Sequence, residues 1–155
     1  MKLSPVLISH DQIRETITVL REAGSKECVL LWLGRREPAS QRIVEVYKPL
    51  QKSEVDYFEI PRAGMAELMA NLKPKGLYVV AQVHTHPCEA FHSPTDDRWA
   101  IVRHVDALSI VLPHFAKTTT VETFRKQSAV FYLSRANQWT LVKPRNLSRR
   151  LKIVP

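Results

Sequence analysis

The feature that most constrains this 155-residue chain is the place where one apolar run stops. Leu77 to Val83 is followed at once by His84-Thr85-His86-Pro87. An apolar run of that length reads as a buried strand. Side chains two apart on a strand point to the same face, so His84 and His86 can place both imidazoles on one ion. Pro87 then ends the strand, because it has no N–H to give to a ladder. After a loop, Ser93-Pro94-Thr95-Asp96 reads as a helix start, with Ser at the N-cap and Pro at the first helical position. That geometry can return a carboxylate over the two histidines. Two imidazoles, one carboxylate and an open fourth position suit a catalytic zinc site; a structural site would be closed by four protein ligands.

The pattern His84-x-His86-Pro87…Ser93-x-x-Asp96 resembles the metal motif of the JAB/MPN metalloprotease family, also called JAMM. The family's upstream glutamate sits at the start of an apolar strand, and Glu27-Cys28-Val29-Leu30-Leu31-Trp32-Leu33-Gly34 fits that pattern. The Ser-x-x-Asp spacing selects Asp96, with a loop one residue shorter than in most members; Asp97 is the reserve ligand. The resemblance implies Zn2+ held by His84, His86 and Asp96, Glu27 as general base, and Ser93 as donor to the oxyanion. It covers roughly residues 5 to 142. It also implies the MPN fold, a central mixed β-sheet flanked by helices.

The chain is long enough for one domain with a real core. An apolar content of 45% with 25% charged residues is ordinary for a globular protein. No apolar run is long enough to span a bilayer, and Met1-Lys2-Leu3-Ser4 lacks the long apolar region of a signal peptide. Cys28 and Cys88 form no C-x-x-C pair, which fits a reducing cytoplasm. The net charge of +8 is most simply a solvated basic surface, and nucleic acid is not expected among the partners.

Taken in order, Ser9 with Gln12 three residues on has capping-box spacing, and Ile13, Ile17 and Leu20 recur at helical period until Gly24. Val29–Leu33, Arg42–Lys48 and Val55–Ile60 read as strands. Pro61 opens a second helix with Met65, Leu68, Met69 and Leu72 on one stripe, ended by Lys73-Pro74-Lys75-Gly76. A third helix is expected from Ser93 to about His104. Ala107–Leu112 is another buried strand, and Ala129–Leu133 with Gln138–Val142 reads as a hairpin. This order indicates an α+β, mixed α/β fold on one central sheet. Residues 1–142 are expected as the domain and residues 143–155 as a basic C-terminal tail, a solvated end or a dock for an acidic partner. Cys88 lies beside the site. His10, His92, His104 and His114 lack partner spacing, and Trp32 and Trp99 are expected in the core.

The resemblance extends to activity. Family members cleave isopeptide or peptide bonds after the C-terminal tail of ubiquitin or a ubiquitin-like protein. The short chain, without evident insertions, resembles compact bacterial members encoded with E1- and E2-like enzymes in anti-phage operons. The expected partners are therefore a ubiquitin-like protein or its conjugate and those pathway enzymes, with no membrane. A JAB peptidase trimming a β-grasp carrier of sulfur metabolism and a non-catalytic MPN scaffold are the alternatives. The H-N-H-P-S-G signature of the DNA-associated RadC type is absent.

Overall fold

A computed structural model of the chain describes residues 3–91 and 101–155. A short strand, β1 (Val6–Ser9), runs directly into helix α1 (His10–Glu22). Ser9 marks the junction. Its hydroxyl accepts the Gln12 N–H while the Gln12 side chain accepts the Ser9 N–H, the reciprocal cap that the sequence spacing predicts. Gly24 follows the helix at φ +64°, a left-handed turn that suits glycine.

The next strands are β2 (Val29–Arg36) and β3 (Gln41–Tyr47), an antiparallel pair. Helix α2 (Arg62–Lys75) leads through Gly76, again left-handed, into β6 (Tyr78–Thr85). Between β3 and α2 lies a minimal two-stranded ladder, β4 (Lys52–Ser53) with β5 (Phe58–Glu59). After β6 come β7 (Leu108–Leu112), helix α3 (Phe124–Gln127), the hairpin β8 (Ala129–Leu133) and β9 (Trp139–Leu141), helix α4 (Pro144–Arg150) and β10 (Leu151–Val154). One mixed sheet runs in the order β10-β1-β3-β2-β6-β7-β8-β9. β6 is antiparallel to β2 and parallel to β7, so it is covered on both edges.

The sheet has an apolar layer on each face, which is why β2 reads as an unbroken apolar run instead of alternating. Cys28, Leu30 and Trp32 pack with Ile13, Ile17 and Leu20 of α1. Val29, Leu31 and Leu33 pack on the other face with Leu68 and Leu72 of α2. Trp32 is fully buried; its indole N–H donates to Thr16 Oγ1 at 3.0 Å, and its ring stacks on Phe124 at 6.0 Å. The mixed α/β fold with a helix-flanked sheet is therefore as expected.

Several elements differ from the expectation. Val55–Ile60 is not one strand, because the Glu54 N–H bonds the Tyr57 carbonyl and folds the chain back on itself. Val55 and Tyr57 consequently stay exposed. The α2 stripe is narrower than predicted: Leu68 and Leu72 are buried, but Met69 faces solvent. Residues 93–100 of the expected third helix lie outside the described residues, and 101–104 are not helical.

The C-terminal stretch 143–155 is basic, but it is not a loose solvated end. β10 pairs in parallel with β1 over Val6↔Leu151 to Ser9↔Val154 and forms the edge of the sheet. Leu151 is fully buried. Arg150 is also buried, its guanidinium paired with the Asp106 carboxylate and donating to the Ser4 carbonyl. The apolar alternation in Leu151-Lys152-Ile153-Val154 is the local signal for a strand, and the surrounding cations obscure it.

Candidate metal centre

His84 is the penultimate residue of β6, and His86 lies one residue past its end. Their rings lie on one face with centroids 5.1 Å apart and planes tilted by 56°. Both are buried, His84 completely. Phe58 lies 5.6 Å from the His84 ring, and Phe91 meets His86 edge-on at 4.5 Å. The pair thus sits between two aromatic rings that screen it from water.

The backbone under His86 is clamped from both directions. Its N–H donates to the Leu112 carbonyl, and its own carbonyl accepts the Phe115 N–H, both at 2.9 Å. Phe115 belongs to a turn in which three successive residues, His114, Phe115 and Ala116, all have φ between 52° and 59°. Left-handed backbone costs roughly 1–2 kcal/mol for each residue with a Cβ. Surrounding bonds hold the turn in place. The His114 N–H reaches the Cys88 carbonyl, and Arg21 of α1 donates to the carbonyls of Ala116 and Thr119. No glycine or asparagine announces this turn, so the sequence offered no signal for it.

Glu27 is buried at the mouth of β2. Val29 stands directly across from His84, and the Thr85 N–H bonds the Cys28 carbonyl. Continuing that antiparallel register sets Glu27 opposite His86, on the face that Val29 shares with His84. The Glu27 N–H is tied to the Glu54 carbonyl at 2.6 Å. Sequence-distant residues are thus brought to one end of adjacent strands.

Gln82 was not singled out in the sequence, although a polar residue inside an apolar run was a visible signal. It lies on the histidine face, buried, donating to Ser109 Oγ at 3.0 Å and accepting the Ile101 N–H at 2.9 Å. Phe91 against His86 and Ile101 on Gln82 are therefore the two described flanks of the stretch between them. Ser93, Asp96, the reserve ligand Asp97 and also His92 and Trp99 lie in that stretch, outside the described residues. Among the described residues no group of three or more His, Cys, Asp and Glu is assembled to hold a metal ion.

Two buried imidazoles converging from one strand face, at this separation, fit the nitrogen half of a zinc donor set. Cys28 points the other way, into the α1 layer, where burial pushes its thiol above the ordinary range while nearby Lys48 pulls it down. Cys88 is exposed beside the site, and both cysteines are free. His104 is half-buried away from the pair, with its ring nitrogens facing the Val79 and Val105 carbonyls, so its role is structural.

The architecture and the paired histidines define a mixed α/β domain of the JAB type. The family model described as prokaryotic homologs of the JAB domain matches residues 9–128. The chain is 30% identical to the probable metalloprotease y4jG of Sinorhizobium fredii, covering 96% of this chain and 93% of that protein. The solution structure of protein DSY2949 from Desulfitobacterium hafniense shares the fold with a TM-score of 0.65 at 17% identity, over 89% of this chain and 90% of that one. The chain belongs to the prokaryotic JAB-domain family.

Proposed function

We propose that this protein is a zinc-dependent peptidase that cleaves after the C-terminal tail of a ubiquitin-like protein, in deconjugation or in precursor processing. Family membership and the metalloprotease relative support a peptidase-type function with a metal cofactor. The observation that carries the reading is the buried histidine pair at the end of β6, with Glu27 entering in register on the neighbouring strand.

In this reading His84 and His86 would hold the ion through their imidazole nitrogens, and Asp96 would complete the protein ligands. Zinc held there supplies Lewis acidity, which brings a bound water's pKa to about 7 and polarises a carbonyl. Glu27 takes the proton from the attacking water and passes it to the leaving amine. Ser93 donates a hydrogen bond to the oxyanion, a role whose loss typically costs about 10²–10³ in rate. Phe58 and Phe91 exclude water around the imidazoles and keep their orientation. A glycine-rich tail could bind in extended form, its main chain supplying most of the affinity.

The two free cysteines accord with a reducing, cytoplasmic setting. Among the described residues no helix is long and apolar enough to cross a membrane. E1- and E2-like enzymes of the same pathway are the proposed partners, as in anti-phage operons. The decisive experiment combines metal analysis of the purified protein with cleavage of a tail-linked ubiquitin-like fusion, with and without chelator. Stoichiometric zinc and chelator-sensitive cleavage are expected. Cleavage that is indifferent to chelation would remove the proposal.

A further inference from the structure

The whole net charge of this protein resides in its last folded elements. The chain has 23 Lys and Arg against 15 Asp and Glu. From Thr123 to Pro155 there are eight cationic residues and no acidic one, which leaves residues 1–122 with fifteen of each sign. That stretch comprises α3, β8, β9, α4 and β10.

Structure makes this asymmetry a rigid surface. Arg150 is spent inside, on Asp106 and two backbone carbonyls. Arg125 of α3 donates to the Leu151 carbonyl of β10 at 3.5 Å, which ties α3 to the same sheet edge. Lys143, Arg145, Arg149 and Lys152 remain exposed on α4 and β10. Arg145 and Arg149 are four apart on one helix, a like-charge placement that destabilises a helix. Arg149, in the last turn, complements the helix dipole, but Arg145 stands in a first turn that holds no acidic residue and opposes the dipole there. No carboxylate anywhere in the stretch offsets it, whereas a bound polyanion relieves that cost. A surface serving solubility alone mixes both signs.

Against the expectation drawn from the overall charge, we propose that α4 and β10 form a docking surface for the phosphate backbone of nucleic acid, without sequence preference. Leu141 is the one large apolar side chain of this stretch that stands out as exposed, so the surface lacks the apolar centre typical of a protein interface. Phosphates need only spaced cations. The surface is separate from the histidine pair: Arg150 at the end of α4 is paired with Asp106, two residues ahead of β7, whereas His84 pairs with Val111 near the far end of that strand.

The test is fluorescence anisotropy of the full chain with a labelled mixed-sequence duplex and a labelled single-stranded RNA. If about four phosphates are neutralised, affinity falls roughly 100-fold between about 50 and 200 mM salt. The variant Lys143→Gln/Arg145→Gln/Arg149→Gln/Lys152→Gln should bind at least tenfold more weakly with a flatter salt dependence. Arg145→Gln alone, a change at an exposed position, should flatten the log–log salt slope by about 0.9. Arg35→Gln/Arg36→Gln, in the charge-balanced part of the chain, should bind like the parent. The proposal is overturned by no binding at low salt, by an Arg145→Gln protein with the parental slope, or by equal weakening in the Arg35/Arg36 variant. Polyglutamate competing as well as the duplex would overturn it in favour of an acidic polypeptide.

Discussion

His84 stands directly across from Val29 on the adjacent strand. The end of β6 that presents the histidines is therefore the end at which β2 enters, and the same register continued two residues ahead of β2 sets Glu27 at that end. This relation makes the proposed roles of Glu27 and the histidines separable by experiment. Glu27→Gln should retain zinc in metal analysis while losing about 10²–10⁴ in single-turnover cleavage. His84→Ala should lose both zinc and activity. A His84→Ala protein that keeps both would show the site to be misplaced.

Gly34 is predicted to be intolerant of any side chain. A Cβ there would stand 2.3 Å from the Arg42 carbonyl oxygen, which is backbone and cannot swing aside. Gly34 also follows the irregularity in the β2–β3 register. Gly34→Ala should destabilise the fold by about 1–3 kcal/mol or more, read as a lower midpoint in denaturant titration.

Removing Arg150 should be among the most damaging single changes away from the site. Its guanidinium and the Asp106 side chain are only 5% and 12% exposed. Arg150→Met would strand a buried carboxylate, at a cost of about 3–5 kcal/mol. The double variant Arg150→Met/Asp106→Asn should recover part of that loss, since asparagine tolerates the φ of 76° at this position. Failure of the second change to recover any stability would show that the pair's charge is not the cause.

The Cys28 thiol gives a pH signature. Burial raises its pKa above the unfolded value, so the folded state keeps a proton that the unfolded chain has released. Its stabilising contribution is complete below the unfolded thiol pKa and is lost as pH rises through the folded one. Denaturation midpoints should therefore fall more steeply above about pH 9 for the parent than for Cys28→Ala. Thiol labelling of the native protein should modify Cys88 alone. Rapid native labelling of Cys28 would contradict its burial.

The placement of the two histidines could be read without coordinates, because it follows from strand periodicity. Two histidines at i and i+2 must share a face, and the apolar runs around Leu31 and Val83 could only be central strands. The α1 cap was equally legible, since Ser9 and Gln12 are local partners. Illegible features were those set by distant contacts. Gln82 looks like an interruption until Ser109 and the Ile101 N–H are placed beside it. The left-handed turn at His114–Ala116 is imposed by carbonyls of His86 and Cys88 and by Arg21, none of them near it in the chain. Leu151–Val154 was hidden by the cations around it, and its partner β1 lies at the opposite end of the sequence.

That last pairing means that the chain's end shields its beginning. Clipping the protein after Val142 would do more than discard positive charge: it would strip β1 of its outer neighbour and bare the peptide groups from Val6 to Ser9. A naked margin of that kind recruits strands from other molecules, so a proteolysed species would be expected to self-associate, whatever becomes of its histidines.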